Sequence, residues 1–342
     1  MRDPGFLTLS DPLASFEKQG MLKLVAPAKV NLFLGVGGRR QEGYHEVVTV
    51  MHALSLHDVL HMDYLPESAG GLCVELECYA REDIEALDIP PEENIVVRAI
   101  RLLAHKLGRD SDETFRVRLE KHIPFEAGLG GGSSDAAAAL VGAARLWGLE
   151  PRNPEADARG RLPHQAPAPE SFAPEVQAVA GELGSDVSFF LYGGCACLTG
   201  FGDEYSHRLD PMKKAAVLVK PENGISTQEA YSIFADNPVS VPEGLAQTAL
   251  SVRCADDVPL FNNLAQASET ICPQLAAIRA WLEEQPGIEG ALLCGSGSTT
   301  LALCESFDVA CRISGKAQQQ GWWARATSFS SLRAQAIPPV SL

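Results

Sequence analysis

Between Met21 and about Leu65 apolar and polar residues alternate in two long runs, LKLVAPAKVNLFLGV and HEVVTVMHALSLHDVLHMDYL. A period of two predicts strands, and the charged, turn-rich GGRRQEGYH between them predicts the connection. Leu72 to Cys78 and FRVRLEKHI predict two further strands. Asn94 to Leu107 instead spaces its apolar residues at three and four, leaving Arg98, Arg101 and Lys106 for the other face, which predicts a helix. The strand FRVRLEKHI runs straight into IPFEAGLGGGSSDAAAALVGAARLW, whose second half predicts a helix with Ser133, Ser134 or Asp135 as N-cap. Residues 151–174 carry six prolines and no apolar period, which predicts an inserted surface loop without a catalytic part. After a short helix, LGSDVSFFLYGGCACLTGFGD reads as a helix packed on a following strand. MKKAAVLVKPENG opens a second block: a strand, helices near Ser226 to Phe234 and Asn263 to Trp281, strands IEGALLCGSG and STTLALC, a helix near Asp308 to Gln319, and a last strand WWARATSF. The class is therefore α+β, with an extension over 1–20, a first domain over 21–210 and a second over 211–342.

Composition narrows the function classes. At 342 residues and 46% apolar the chain has material for about two domains, each with its own core. No period of 20 to 50 residues recurs, so a repeat architecture is not expected. The net charge of −16 would repel nucleic-acid phosphates, and no Lys/Arg-rich run offsets it. The longest apolar stretch, Ala136 to Ala144, is about half of the roughly 20 residues that cross a bilayer, and the charged first 20 residues hold no signal-peptide core. Nucleic-acid and membrane partners are both unexpected. Nine cysteines without a CxxC pair argue against a zinc ribbon or a thioredoxin-like site and suit free thiols in a reducing cytoplasm.

Gly128-Leu129-Gly130-Gly131-Gly132-Ser133-Ser134 lies between a predicted strand and a predicted helix. Adjacent glycines cost backbone entropy, and at a helix N-terminus they let the main chain approach an anion held by unpaired N–H groups and the helix dipole. The Ser133 and Ser134 hydroxyls can add donors or reach a magnesium ion. No lysine follows Gly132, which excludes a Walker A loop, and Ser133 stands where GxGxxG needs its third glycine. A second small-residue run, Gly295-Ser296-Gly297-Ser298, reads by itself as a tight hairpin.

Three segments in this order, PAKVNLFL (Pro27 to Leu34), GLGGGSSDAAAAL (Gly128 to Leu140) and LLCGSGST (Leu292 to Thr299), resemble the three motifs of the GHMP kinase superfamily. GRRQEGYHEVVTVMHALSLHD, ENIVVRA, LGSDVSFFLYGG and FNNL extend the likeness from about Met21 to near the C-terminus. The resemblance implies a two-domain fold with the active site in the cleft between domains. It implies ATP with its phosphates on Gly128, Leu129, Gly130, Gly131, Gly132, Ser133 and Ser134. Magnesium would come with the phosphates, reached by Ser133 or Ser134. It places adenine near Asn94 and Lys121, although Asn94 reads equally as a helix N-cap and Lys121 as a solvated strand end.

The branch it resembles most phosphorylates a cytidine-diphosphate-linked polyol in isoprenoid-precursor synthesis; homoserine or a mevalonate-type alcohol is the alternative substrate. Tyr44, His45 and Tyr231 would hold the cytosine, with Asn31, Thr227, Gly295, Ser296 and Gly297 completing the substrate side. Asp186 would be the general base and Lys29 its electrostatic partner, the bland readings being a helix cap and a snorkelling lysine. Two departures stand out: the loop is preceded by Glu126-Ala127 where relatives have more glycine, and the 151–174 insert is unusual. Arg39 and Arg40 are candidates to face a polyanion, or a solvated turn.

Overall fold

Two long antiparallel strands, β1 (Leu22–Arg39) and β2 (His45–Pro66), form the spine of the protein, with Leu22 opposite Met62 at one end and Arg39 opposite His45 at the other. The structure is a computed structural model and describes residues 21–39, 45–67, 70–85, 89–149 and 172–337. Tyr44, Arg40 and residues 151–171 of the insert lie outside the described residues, as does the extension before Met21. β3 (Leu72–Ala80), β4 (Glu113–Lys121), β5 (Cys195–Thr199) and β6 (Glu204–Leu209) extend the sheet. Its main path runs β12-β1-β2-β4-β3, with β5 and β6 carried on β2 and β8 on β1. β8 (Phe261–Asn262) and β12 (Gln335–Ile337) come from far along the chain. The first sheet thus reclaims two segments from beyond residue 211.

One face of that sheet is covered by α1 (Ile95–Lys106), α2 (Gly131–Leu146), α3 (Pro174–Leu183) and α4 (Ser185–Tyr192) around a core that includes Met62, Ile100, Phe115, Leu140 and Phe189. α2 is apolar on nearly every side, which suits a helix buried among others. A Cβ at Gly142 would overlap Met62 Sδ, so glycine there sets how closely α2 approaches β2. The second sheet, β11 (Trp323–Ser328), β7 (Ala215–Lys220), β10 (Thr300–Cys304) and β9 (Ile288–Leu293), is antiparallel throughout. α5 (Thr227–Asp236), α6 (Leu245–Ser251), α7 (Ala265–Ile271), α8 (Gln274–Glu283) and α9 (Phe307–Gln319) complete the second half. Ile278, Leu282, Ile313 and Ala317 of α8 and α9 pack on Val217, Val219 and Ala302.

Two helices differ from their expected form. The helix predicted over 263–281 is two, because Pro273 lacks an N–H and crowds the preceding turn, so α7 stops at Ile271. α2 begins at Gly131 with Gly130 as its N-cap, not at Ser133, Ser134 or Asp135. Gly130 takes φ 70°, which closes the loop three residues before the first serine.

His52 ties β2 to the segment leading into β7. Its Nδ1 donates to Ala53 O at 2.9 Å, its Nε2 accepts Met212 N–H at 3.0 Å, and its ring lies 4.8 Å from that of Phe329. Burial lowers its pKa to about 4, outweighing the Ala53 carbonyl. Above the ordinary histidine range both folded and unfolded chains carry the neutral ring, so its contribution is complete. As pH falls from 6.5 toward 4 only the unfolded chain binds the proton, and that contribution is lost. Urea melts should show His52→Gln losing about 2–3 kcal/mol less than the parent between about pH 7.5 and about pH 4.5. Parallel losses in the two proteins would exclude His52 as the group responsible.

Candidate active site

The first two of three register slips in β1 fall between Pro27 and Lys29 and between Asn31 and Phe33. These irregularities bracket Lys29 and Asn31, two residues on one strand face, and turn both into a cleft of about 920 Å³. Lys29 is only 4% exposed. Its Nζ donates to Asn31 Oδ1 at 2.7 Å and lies 3.5 Å from Asp186 Oδ2. Asn31 Nδ2 donates to Thr49 Oγ1 at 2.8 Å, and Thr49 Oγ1 donates to Phe33 O at 2.8 Å. α4 is capped by Gly184, which leaves Asp186, in the first turn, facing Lys29 across the cleft.

The glycine loop runs along the same cleft. Gly128 has φ +71°, and a Cβ there would overlap the Cys294 carbonyl oxygen and come within 2.9 Å of that of Gly297. Leu129 turns its side chain into the core, so it offers the loop only backbone; its carbonyl accepts Lys29 N–H at 2.9 Å. The Gly295–Ser298 run supports the first loop: Ser298 N–H donates to Glu126 O at 3.2 Å and Thr299 N–H to Ala127 O at 3.1 Å. Glu126 leans against Gly224. Gly128, Leu129, Gly130, Gly131, Gly132 and Ser133 line the cleft, whereas Ser134 is fully buried and its Oγ has no protein partner.

At one end the cleft is walled by β3, β4 and the start of α1. Asn94 lines it and also caps α1, its Oδ1 accepting Val96 N–H at 2.9 Å, so both readings of this residue hold together. Lys121 is no solvated strand end. Its Nζ bridges Asp58 and Asp135, the latter at 2.6 Å. Asp58 Oδ1 in turn accepts the backbone N–H groups of His122 and, at 2.8 Å, Ile123. Burial opposes the charge on Lys121, but the Asp135 and Asp58 carboxylates outweigh it and hold the ammonium above the ordinary lysine range. Burial, with Asp58 nearby, raises the Asp135 carboxyl well above the usual range despite Lys121. The sequence reading singled out Lys121, took Asp135 only as a possible N-cap, and did not single out Asp58.

At the other end Tyr231 lines the cleft, and the ring of His45, which is not among the lining residues, has its centroid 5.9 Å from that of Tyr231, inclined at 42°. His45 Nδ1 lies 2.9 Å from Gly37 O; a carbonyl can only accept, so Nδ1 carries the proton. Burial and the Asp186 charge push the Tyr231 phenol up to about 12. Thr227 Oγ1 and Ser296 Oγ are 2.8 Å apart. Gly295 borders Lys29 and Asn31, while Gly297 packs toward Leu293 and Ile225 away from the lining. Tyr44 falls outside the described residues. Among the described residues no group of three or more His, Cys, Asp or Glu is placed to hold a metal, and no helix is long and apolar enough to cross a membrane.

Residues 94–194 match the N-terminal domain of the GHMP kinases and residues 247–321 their C-terminal domain. The chain is 34% identical to the 4-diphosphocytidyl-2-C-methyl-D-erythritol kinase of Pelotomaculum thermopropionicum, over 86% of this chain and 93% of that protein. It is 36% identical to the same-named kinase of Nocardia farcinica, over 85% and 87%. A crystal structure of 4-(cytidine 5'-diphospho)-2C-methyl-D-erythritol kinase superposes with a TM-score of 0.66 at 29% identity, covering 90% of this chain and 99% of that one. Homoserine kinase from Cytophaga hutchinsonii gives 0.64 at 17% identity, covering 98% and 100%, a likeness of fold.

Proposed function

We propose, on the premise that the chain belongs to the GHMP kinase family, that it phosphorylates 4-diphosphocytidyl-2-C-methyl-D-erythritol with ATP, at the 2-hydroxyl. This is a step toward isoprenoid precursors. The observation that carries the chemistry is the Lys29–Asp186 pair, 3.5 Å apart in the cleft that the glycine loop also lines. The loop N–H groups and the positive end of α2 receive the phosphates. Asp186 accepts the hydroxyl proton as the new P–O bond forms, and Lys29 faces the charge building on the transferred phosphoryl group. Magnesium brought with the nucleotide would add neutralisation of that charge, and the Ser133 hydroxyl that lines the cleft or the unpartnered Ser134 hydroxyl would be its protein ligand. Nine free thiols support a reducing, cytoplasmic setting.

A coupled assay of ADP release with the CDP-linked alcohol, homoserine and mevalonate tests the reading. Turnover is expected with the first; turnover with homoserine or mevalonate in its place would transfer the assignment to that alcohol.

His45 and Tyr231 are proposed to grip the cytosine, helped by Tyr44, with Thr227, Ser296 and Gly295 beside the rest of the substrate. Stacking of a base on an aromatic ring is worth about 1–3 kcal/mol, so Tyr231→Ala should raise KM for the CDP-alcohol by about 5- to 150-fold and leave KM for ATP alone. Tyr231→Phe keeps the ring and should stay within about threefold of the parent. A rise in KM for ATP instead would place Tyr231 elsewhere.

A further inference from the structure

We propose that Thr49 is a positioning residue of this kinase: its hydroxyl fixes the orientation of the Asn31 amide, and that amide holds the Lys29 ammonium beside Asp186. The catalytic consequence rests on the function proposed above; the hydrogen-bond order rests on geometry alone.

The order follows from counting protons. Phe33 O is a carbonyl and can only accept, so the single proton of the Thr49 hydroxyl, 2.8 Å away, points at it. Toward Asn31 the hydroxyl then has only lone pairs, and the Asn31 atom 2.8 Å from it must be the amide nitrogen. The amide oxygen is thereby turned to Lys29 Nζ, 2.7 Å away. Reversing the amide would set its NH₂ against the ammonium and its oxygen against the hydroxyl lone pairs, losing two hydrogen bonds together. Thr49 is 1% exposed and Asn31 3%, so water has little access to replace either bond. The irregularity in β1 between Asn31 and Phe33 lies at the point where the Thr49 hydroxyl bonds, which ties strand shape to side-chain order. Lys29 reaches Asp186 at 3.5 Å, longer than its bond to Asn31, so the amide is the ammonium's firmer anchor.

Thr49→Val keeps the side-chain shape and removes the hydroxyl. It should lower kcat by about 10- to 100-fold, the scale of a lost hydrogen bond serving a charged group, with both KM values within about threefold. Thr49→Ser restores the hydroxyl and should recover at least about half of kcat. In both variants the Asn31 side-chain amide is followed by NMR on the full, asparagine-labelled protein. Its NH₂ signals are expected to shift and exchange faster in Thr49→Val and to stay in place in Thr49→Ser. Thr49→Cys, similar in size and a weak donor, takes the same measurements should Thr49→Val fail to fold. Unchanged kcat in Thr49→Val, a KM effect alone, or no recovery in Thr49→Ser would overturn the proposal. If the parent does not turn over the CDP-alcohol, the function fails separately, and an unmoved Asn31 amide in Thr49→Val would still overturn the relay.

Discussion

Asp186→Asn is expected to lower kcat by about 10²- to 10⁴-fold while both KM values stay near those of the parent, the range for removal of a positioned general base. The acceptor, a tertiary alcohol, is essentially un-ionised at neutral pH, and its proton must leave as the phosphoryl group arrives. Asp186 can receive it because α4 places the carboxylate in the cleft while Gly184 occupies the cap position. Asparagine has nearly the same shape and cannot take the proton. The fold should tolerate the change: Lys29 keeps its 2.7 Å bond to Asn31, and the Asp186 side chain is 29% exposed, so melting should shift by no more than about 1 kcal/mol. Rapid-quench and steady-state kinetics, with thermal melts on the same samples, separate the roles. Retention of more than about a tenth of kcat would reject the base role. A loss of stability with turnover intact would make Asp186 a structural residue of α4.

What could be read beforehand divides by range along the chain. The loop Gly128 to Ser134 was legible because three glycines ahead of an alanine-rich run leave few backbone options, and the alternation of β1 and β2 is local in the same way. The start of α2 was misplaced because serine is a better cap than glycine by propensity, whereas Gly130 alone can adopt the left-handed turn that this loop needs. The role of Gly295–Ser298 was hidden for a different reason. A hairpin reading from composition cannot reveal that Ser298 and the following Thr299 donate to Glu126 O and Ala127 O, just ahead of the first loop. Thr49, Asp58 and, beyond its reading as a cap, Asp135 were missed for the same reason. Each sits in a strand or helix with ordinary neighbours, and its significance exists only once β1, β2, β4 and α2 are assembled. β8 and β12 are too short to announce themselves and are strands only because β1 offers them an edge.

The largest stability effect should come from Lys121→Met. The lysine bridges two buried carboxylates, Asp58 at 0% exposure and Asp135 at 3%, and so joins the end of β4 to β2 and to α2. A methionine fills similar volume but leaves two acidic groups facing each other without a cation. Removing one partner from a buried ionic cluster costs about 3–5 kcal/mol, mostly the penalty of the charge left behind. The sign of the pH dependence identifies that penalty. The parent already holds the Asp135 carboxyl above the usual range, and without the ammonium that lowers it burial and the nearby Asp58 raise it further, so the folded variant binds the extra proton more readily than the folded parent does. Stability of Lys121→Met should therefore improve relative to the parent as pH falls from about 7.5 toward about 5, the reverse of a simple packing defect. Adding Asp135→Asn removes one of the two charges and should recover about half of the loss near pH 7.5. The proposed ATP site should register the change as well, because Lys121 and Asp135 line the cleft beside Asn94 and Asp135 directly follows the glycine loop. A pH-independent deficit, unaffected by Asp135→Asn, would mean that Lys121 contributes through its hydrocarbon stem and not through its charge.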